Sequence, residues 1–503
     1  MTLIGQGGKY SNMISAIKNL MNWAGKKMVM ATTDNQTDIR HLETKIANWL
    51  HSPLRMAQLD GERYYRGDHD ILGKKRTVLG EDGKLVTIDN LPNNRKVDNQ
   101  YAKMVDQKKN YLLGQPISFD CDDKEYVEQL KTVFNKKFQK TLKDLGEDCL
   151  NGGIAWLYPY YDDSKLKFKK FPAYEILPFW KDTAHTELEM AVRFYFEEKP
   201  NATRPDDVIK KVEIFTPNGI DHYTFENNRL VPDVAKPHEN YLTVKTGDEE
   251  QGYNWERIPL VAFKYNAKEI PLIKKCKNLQ DAINDIISTF KDNMEEDARN
   301  TILVLENYDG QNLGEFRQNL AQYGAVKVRS GDGARGDVRT LTVEVDSANY
   351  EAILKVFKKA LIENCKGYDF SELHTGGSPN QMNIKSIYSD IDLDANDQET
   401  EFQASFEDLL WFVNKALNIA EEKDVDIIFN RDGVVNEAEI MQMLVTAGVK
   451  ISNRSLLAQV PFIDDIEDEL KQVKKEEQEA MDAYNGTVPM NGNGGLNDGE
   501  QNK

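Results

Sequence analysis

"NNRKVDNQYAKMVDQKKNYLLGQPISFDC", Asn93–Cys121, passes from a capped helix to a strand, with Gly114 and Pro116 as the breakers between them. The sequence on either side says what kind of fold contains such a joint. Before it, "DIRHLETKIANWLHSPLRMAQLDGERYYRGDHDIL" carries helical apolar spacing, and "KKRTVLGEDGKLVTIDN" reads as a hairpin turning at Asp82 and Gly83. After it, between about 151 and 268, come short aromatic and β-branched segments, "IAWLYPYYD", "LEMAVRFYFEE", "KVEIFTP" and "YTFENNRLV", with turns between them. Helices thus precede a stretch that is mostly sheet, and the expectation is a mixed α+β fold.

At Pro271 the pattern changes. Leu272, Ile273, Cys276, Leu279, Ile283, Ile286, Ile287 and Phe290 recur at three and four residues, marking an amphipathic helix to about Glu296. "NTILVLENY", "GAVKVRS" and "VRTLTVEV" read as strands around a short helical candidate, "NLGEFRQNL". A second amphipathic helix follows from Ser347 to Lys366, with Ile353, Leu354, Phe357, Ala360 and Leu361 on one face and Lys355, Lys358, Lys359 and Lys366 elsewhere. The chain leaves on one helix, builds a small α/β unit, and returns on another.

"GYDFSELHTGGSPNQ" is a loop broken by Gly376, Gly377 and Pro379, and no Pro or Gly interrupts the sequence from Gln381 to Glu422. A long helix is expected there, kinked near Asp392 to Thr400, where apolar residues thin out. "DVDIIFN" is one more strand, and "NEAEIMQMLVTAG", "SNRSLLAQVP" and "DIEDELKQVKKEEQEAMDAY" read as three helices. Residues 1 to 35 read as a flexible arm with room for an amphipathic helix around Ile14 to Trp23, and residues 485 to 503 as a disordered tail.

With 503 residues the chain is long enough for two to four domains. Its net charge of -19 repels free nucleic acid and argues against a broad DNA-coating face, so any DNA contact must be local. Cys121, Cys149, Cys276 and Cys365 lack C-x-x-C spacing, which speaks against a disulfide framework and a zinc site. The first 27 residues do not read as a signal peptide, and no apolar run reaches membrane-spanning length. A soluble intracellular protein is the expectation.

"RSGDGARGDVRT", residues 329–340, contains G-x-G-x-x-G, but a strand follows where a dinucleotide site needs a helix N-terminus, so a loop joining strands is the better reading. Its R-G-D is chance, and Arg329, Arg335 and Arg339 stand out as an exposed basic loop in an acidic chain. "GQGGKYS" lacks P-loop spacing and a preceding strand. Asp68, His69 and Asp70 in "GDHD" read as a solvated turn, since adjacent residues rarely converge on one ion. The histidines are dispersed, and no nucleophile or zinc constellation stands out. For the lysines of the second amphipathic helix, a solvated face and a DNA-facing role both stay open.

Four stretches together carry a resemblance: "GERYYRGDHDILGKKR", "NNRKVDNQYAKMVDQKKNYLLGQPISF", "RIPLVAFKYN" before a long helix, and "LVLENYDGQNLGEFRQNL". They resemble the portal proteins of tailed double-stranded DNA bacteriophages, in the branch found in long-tailed phages of Gram-positive hosts. The similarity runs from about residue 40 to 485, with V-D-Q-K-x-x-Y-L-x-G-x-P at Val105–Pro116 its most specific part. It implies a ring of twelve copies around a central channel at one capsid vertex, through which a terminase motor pumps DNA. It also implies no enzymatic activity, no cofactor and no metal.

The implied division gives residues 1–36 to an arm, 37–270 to an α/β wing, 271–296 and 347–367 to stem helices, and 297–346 to a clip. Residues 368–381 would be the channel loop, 382–430 a long wing helix and strand, 431–485 a helical crown, and 486–503 a tail. Ser371, His374, Thr375, Ser378, Asn380 and Gln381 would touch DNA without gripping it, and Gly376 and Gly377 would let the loop adapt. Lys355, Lys358, Lys359 and Lys366 would face the channel, and Arg329, Arg335 and Arg339 would dock the terminase large subunit and a head-tail adaptor. Implied partners also include the major capsid and scaffolding proteins, no membrane, and a place in the virion after assembly in the host cytoplasm. Residues 1–35 match nothing in the family pattern, and the acidic cluster Asp464–Glu469 matches a crown helix only in position and character. A minor capsid or tail component without a channelled ring is the alternative.

Overall fold

The computed structural model describes residues 35–79, 83–89, 91–162, 165–199, 204, 207–246, 249–297, 302–306, 337–341, 347–369, 381–419, 423–431, 442, 452 and 466–486. The chain divides into two compact units, Met1–Tyr368 with Asp390–Asp432, and Asp369–Ser389 with Gly433–Lys503.

In the first unit, helix α1 (Asn35–Leu50) is separated from α2 (Pro53–Arg66) by a Ser52–Pro53 break, so the continuous helical spacing of the sequence belongs to two helices. Ser52 Oγ accepts from Arg55 N, Pro53 fits the first turn, where its missing N–H costs nothing, and Gly67 ends α2 at φ 93°. Asn99 caps α3 (Gln100–Leu113), Asp123 caps α4 (Lys124–Val133), and Asn135 caps α5 (Lys136–Gly152). These last two helices fill residues 124–152, a stretch for which the sequence reading named no element. Gly153 follows α5 at φ 78°, and a Cβ there would lie 2.2 Å from the Glu269 carbonyl oxygen, so only glycine fits.

The sheet expected between 151 and 268 is present as several pieces. An antiparallel meander runs Arg229–Pro232, Gly219–Glu226, Val208–Thr216, Leu188–Glu198, Ile176–Trp180, and His238–Glu239 pairs with Gly219–Glu226. Helix α1 closes one face of it through Ile46, which shares a core with Val192, Phe194, Val212, Ile214, Phe225 and Leu230. A second sheet orders Val261–Lys264, Ile154–Asp162 and Lys165–Pro172. Thr77–Leu79 pairs antiparallel with Leu85–Thr87, as the expected hairpin requires, and Asp82 of its expected turn lies outside the described residues.

The two long amphipathic helices are α6 (Ile273–Asp297) and α7 (Ser347–Asn364), which pack together. Between them Ile302–Glu306 pairs antiparallel with Asp337–Leu341; the strand and helix candidates at 324–330 and 312–320 lie outside the described residues. Helix α8 (Gln381–Leu417) is a single helix of 37 residues that runs unbroken through Asp392–Thr400. The polar residues there are its attachment face: Asp392 accepts from Arg431 at 3.0 Å and from the Tyr111 hydroxyl, and Gln398 is buried. Phe402 and Phe406 of α8 meet Phe263 at 5.1 and 5.5 Å between ring centroids, joining the helix to the second sheet. Asp426–Ile428, the strand after α8, pairs with Ser118–Asp120, the strand after α3. The second unit holds the first residues of α8 and helix α9 (Ile466–Gly486), which matches the last of the three expected C-terminal helices. The other two, and both terminal segments, lie outside the described residues.

Candidate functional site

Helix α6 carries a second pattern between its apolar positions. Gln280, Asn284, Ser288 and Asp292, four residues apart, are all buried, at 0, 0, 0 and 4 % exposure. Each accepts a backbone N–H from the segment that leads into α3: Tyr101 to Gln280 Oε1 at 2.9 Å, Asp98 to Asn284 Oδ1 at 2.9 Å, Lys96 to Ser288 Oγ at 2.9 Å, and Asn94 to Asp292 Oδ1 at 2.6 Å. The repeats match because four helical residues rise about 6.0 Å and two extended residues span about 6.6 Å. The alternate N–H groups of Asn94, Lys96 and Asp98 therefore meet successive turns of α6, and Tyr101 in the first turn of α3 continues the ladder at Gln280. Gln280 Nε2 also donates to the Asp98 carbonyl at 2.8 Å, so the ladder fixes register in both directions.

His69 closes the ladder from behind. Asn284 Nδ2 donates to His69 Nδ1 at 2.7 Å, which leaves Nε2–H to donate to the Tyr64 carbonyl at 3.0 Å, while the imidazole stacks on the Tyr64 ring at 4.3 Å. Only 2 % of His69 is exposed, and burial lowers its pKa. The "GDHD" stretch is thus not a solvated turn: His69 is a core group, and Asp70 bonds Arg63 and Lys277. Among the described residues no cluster of His, Cys, Asp or Glu is arranged to hold a metal ion.

Both long helices are anchored at one buried carboxylate, Asp394 of α8. Lys108 of α3 donates to Asp394 Oδ2 at 2.7 Å and to the Lys366 carbonyl at 3.2 Å, directly after α7. The Tyr265 hydroxyl donates to the same oxygen at 2.7 Å, and the ammonium groups of Lys275 and Lys366 stand 3.6 and 3.8 Å from Oδ1. Burial would raise the Asp394 carboxyl, but the Lys108 ammonium, helped by Lys275, holds it below the usual carboxylate range. Burial in turn pushes Lys108 down. The start of α6 and the end of α7 are therefore tied to α3 and α8 through one node, and the buried thiols of Cys276 and Cys365 meet there as well.

The four candidate channel lysines separate into two kinds. Lys355 and Lys359 are exposed on α7, and Lys358, which pairs with Asp98 at 2.6 Å, and Lys366, which pairs with Asp397 at 3.6 Å and with Asp394, are half-buried. Arg339 lies in the strand Asp337–Leu341, opposite Val304. Arg329, Arg335, Ser371, His374, Thr375, Gly376, Gly377, Ser378 and Asn380 lie outside the described residues, and Gln381 opens α8. The polar ladder was missed in the sequence; its signal is a run of uncharged or small polar residues every four positions beside an apolar stripe. The Asp394 node had none, because Lys108 and Asp394 are 286 residues apart.

Two long helices tied at one node with a small sheet between them, preceded by two larger sheets, follow the element order that the resemblance to phage portal proteins implies. The family model described as "Phage portal protein, SPP1 Gp6-like" matches residues 51–483, and the chain belongs to that family. It is 29 % identical over 428 residues to the portal protein of Bacillus phage SPP1, covering 83 % of each chain. It is 25 % identical over 448 residues to the portal protein of Clostridium phage phiCD119, covering 86 % of this chain and 96 % of that one. A chain of the neck of a native GTA particle aligns at a TM-score of 0.40 and 12 % identity over 72 % of this chain and 89 % of its own, a likeness too low to add to the family match.

Proposed function

We propose that twelve copies of this portal protein close into a ring at one capsid vertex and form the DNA channel. The genome would enter through it under the terminase large subunit and leave through it at ejection. In this reading 37–270 and 382–430 form the wing, 271–296 and 347–367 the stem, 297–346 the clip, 368–381 the channel loop and 431–485 the crown. The clip, with Arg329, Arg335 and Arg339, docks the motor and then the head-tail adaptor, while the wing and crown meet the major capsid and scaffolding proteins.

One observation carries the reading on this chain's own residues: α7 turns two lysines, Lys355 and Lys359, to its exposed surface in a protein of net charge -19. A channel must pass a polyanion without holding it, because each phosphate neutralised adds salt-sensitive affinity that resists sliding. Sparse cations on a wall supplied by an acidic chain meet that requirement. Lys358 and Lys366, engaged with carboxylates of their own chain, serve the wall's structure rather than its surface. The channel loop's Ser371, His374, Thr375, Ser378, Asn380 and Gln381 add polar contact, and Gly376 and Gly377 add compliance.

The test is the solution mass of the purified protein together with negative-stain images. Twelve chains of 57.5 kDa make a particle of about 690 kDa with a central hole. A small assembly without a hole would favour the other reading, a minor capsid or tail component.

A further inference from the structure

The chain passes between its two compact units three times, after Tyr368, after Ser389 and after Asp432. Inside the first unit, each passage is held at α3 or at the turn that follows it. Gln107 Nε2 donates to the Tyr368 carbonyl at 3.0 Å, and Gln107 Oε1 accepts the Tyr368 N–H at 3.4 Å. Just before, the Lys366 carbonyl accepts from Lys108, and Gly367 lies so close to α3 that a Cβ there would stand 2.5 Å from Met104 Sδ. Beyond the second passage, Asp392 accepts from the Tyr111 hydroxyl. Ahead of the third, Arg431 donates to the same carboxylate at 3.0 Å, and Asn430 Nδ2 donates to the Pro116 carbonyl at 2.6 Å.

Met104, Gln107, Lys108 and Tyr111 are spaced by three and four residues, so they share one side of α3. Gln107, Lys108, Tyr111 and Pro116 are also specified positions of the V-D-Q-K-x-x-Y-L-x-G-x-P segment. Lys108 and Tyr111 are buried and belong to the packing of the first unit. Gln107 is half-buried, and the donor and the acceptor of its amide both address the backbone of Tyr368, the residue after which the chain enters the second unit. Such a pair of bonds holds one point of the chain, where an apolar neighbour would let it slide.

A slip of one residue at that point displaces the chain that follows by up to about 3.6 Å, as large as the step of about 3.4 Å between phosphates along one DNA strand. Copies arranged around a moving duplex need the same starting point in each. We propose that Gln107 is a positioning residue for DNA passage: it acts through Tyr368, not on DNA, and fixes where the channel loop starts. The proposal rests on the reading of residues 368–381 as that loop.

The experiment supplies full-length Gln107→Leu as the sole portal protein during phage growth and measures nuclease-protected DNA per head, beside the ring mass and thermal melt of the purified variant. A second full-length variant, Gly376→Val/Gly377→Val, tests the loop reading itself. Gln107→Leu should form rings and melt like the wild type, with protected DNA lowered about tenfold, the equilibrium weight of the two lost hydrogen bonds. The glycine variant should lower protected DNA as well. Packaging undiminished in Gln107→Leu but lowered in the glycine variant would overturn the role of Gln107 and leave the channel-loop reading standing. Packaging undiminished in both would overturn both. Loss of rings, or a lowered melt, in Gln107→Leu would make Gln107 part of the fold and overturn its positioning role.

Discussion

The two flanks of the long helix pair differ in how far the chain satisfies them by itself. On the flank of the Asn93–Asn99 segment, buried polar groups of α6 are matched to backbone N–H groups, and the pair is pinned at Asp394 by Lys108 and Tyr265. On the other flank Ile353 and Val356 face water. The difference separates the flank that fixes the shape of the helix pair from the flank that the chain leaves exposed.

Breaking the saturated flank should cost most. Lys108→Met leaves the buried Asp394 carboxylate with the Tyr265 hydroxyl and, for cations, only the more distant ammoniums of Lys275 and Lys366, and it removes the Lys108 donor to the Lys366 carbonyl. A loss of about 3 to 5 kcal/mol in denaturant unfolding is expected, with part of it recovered in Lys108→Met/Asp394→Leu, because an apolar pair of similar volume is cheaper than one unpaired charge. A cost under about 1 kcal/mol would mean that the node does not hold the helices. Next comes Asn284→Leu, which strands the Asp98 N–H and removes the donor to His69. A buried donor left without a partner costs about 1 to 3 kcal/mol, and the loss should be read in the same unfolding experiment.

Much of this architecture was legible because its signals are local. Asp82 and Gly83 mark the hairpin turn, the three-and-four spacing of Leu279, Ile283, Ile286 and Phe290 marks α6, and the alternating aromatics after 151 mark the sheets. Ser52–Pro53 was a legible helix start hidden inside a longer apolar periodicity. Polar residues near Asp392 were taken as a loss of packing, whereas Asp392 and Asp394 bond cations brought in by tertiary structure and Gln398 is buried. His69 was misjudged in the same way. Adjacent Asp68 and Asp70 suggest water, but burial is decided by Tyr64 and Asn284, the latter more than two hundred residues away. The family resemblance reached further than these signals, because it rests on four stretches spread along the chain, with Val105–Pro116 the most specific.

His69 gives the smallest and most selective test of the saturated flank. Its Nδ1 accepts from Asn284 and its Nε2–H donates to Tyr64, so both ring nitrogens are committed to the neutral form, and burial lowers its pKa in the folded protein. The unfolded chain has an ordinary histidine, which gains its proton near pH 6.5. Below that pH the unfolded state binds more protons than the folded one, so stability is fully present above about pH 6.5 and falls as the solution is acidified toward the folded pKa. Thermal melts between pH 7.5 and 5.5 should show this loss in the wild type. His69→Gln should give a flatter profile, since an amide can supply one acceptor and one donor without titrating. The comparison between the two proteins matters more than either curve, because carboxylates elsewhere titrate alike in both. Parallel profiles would place His69 outside the energetics of the ladder that Gln280, Asn284, Ser288 and Asp292 form.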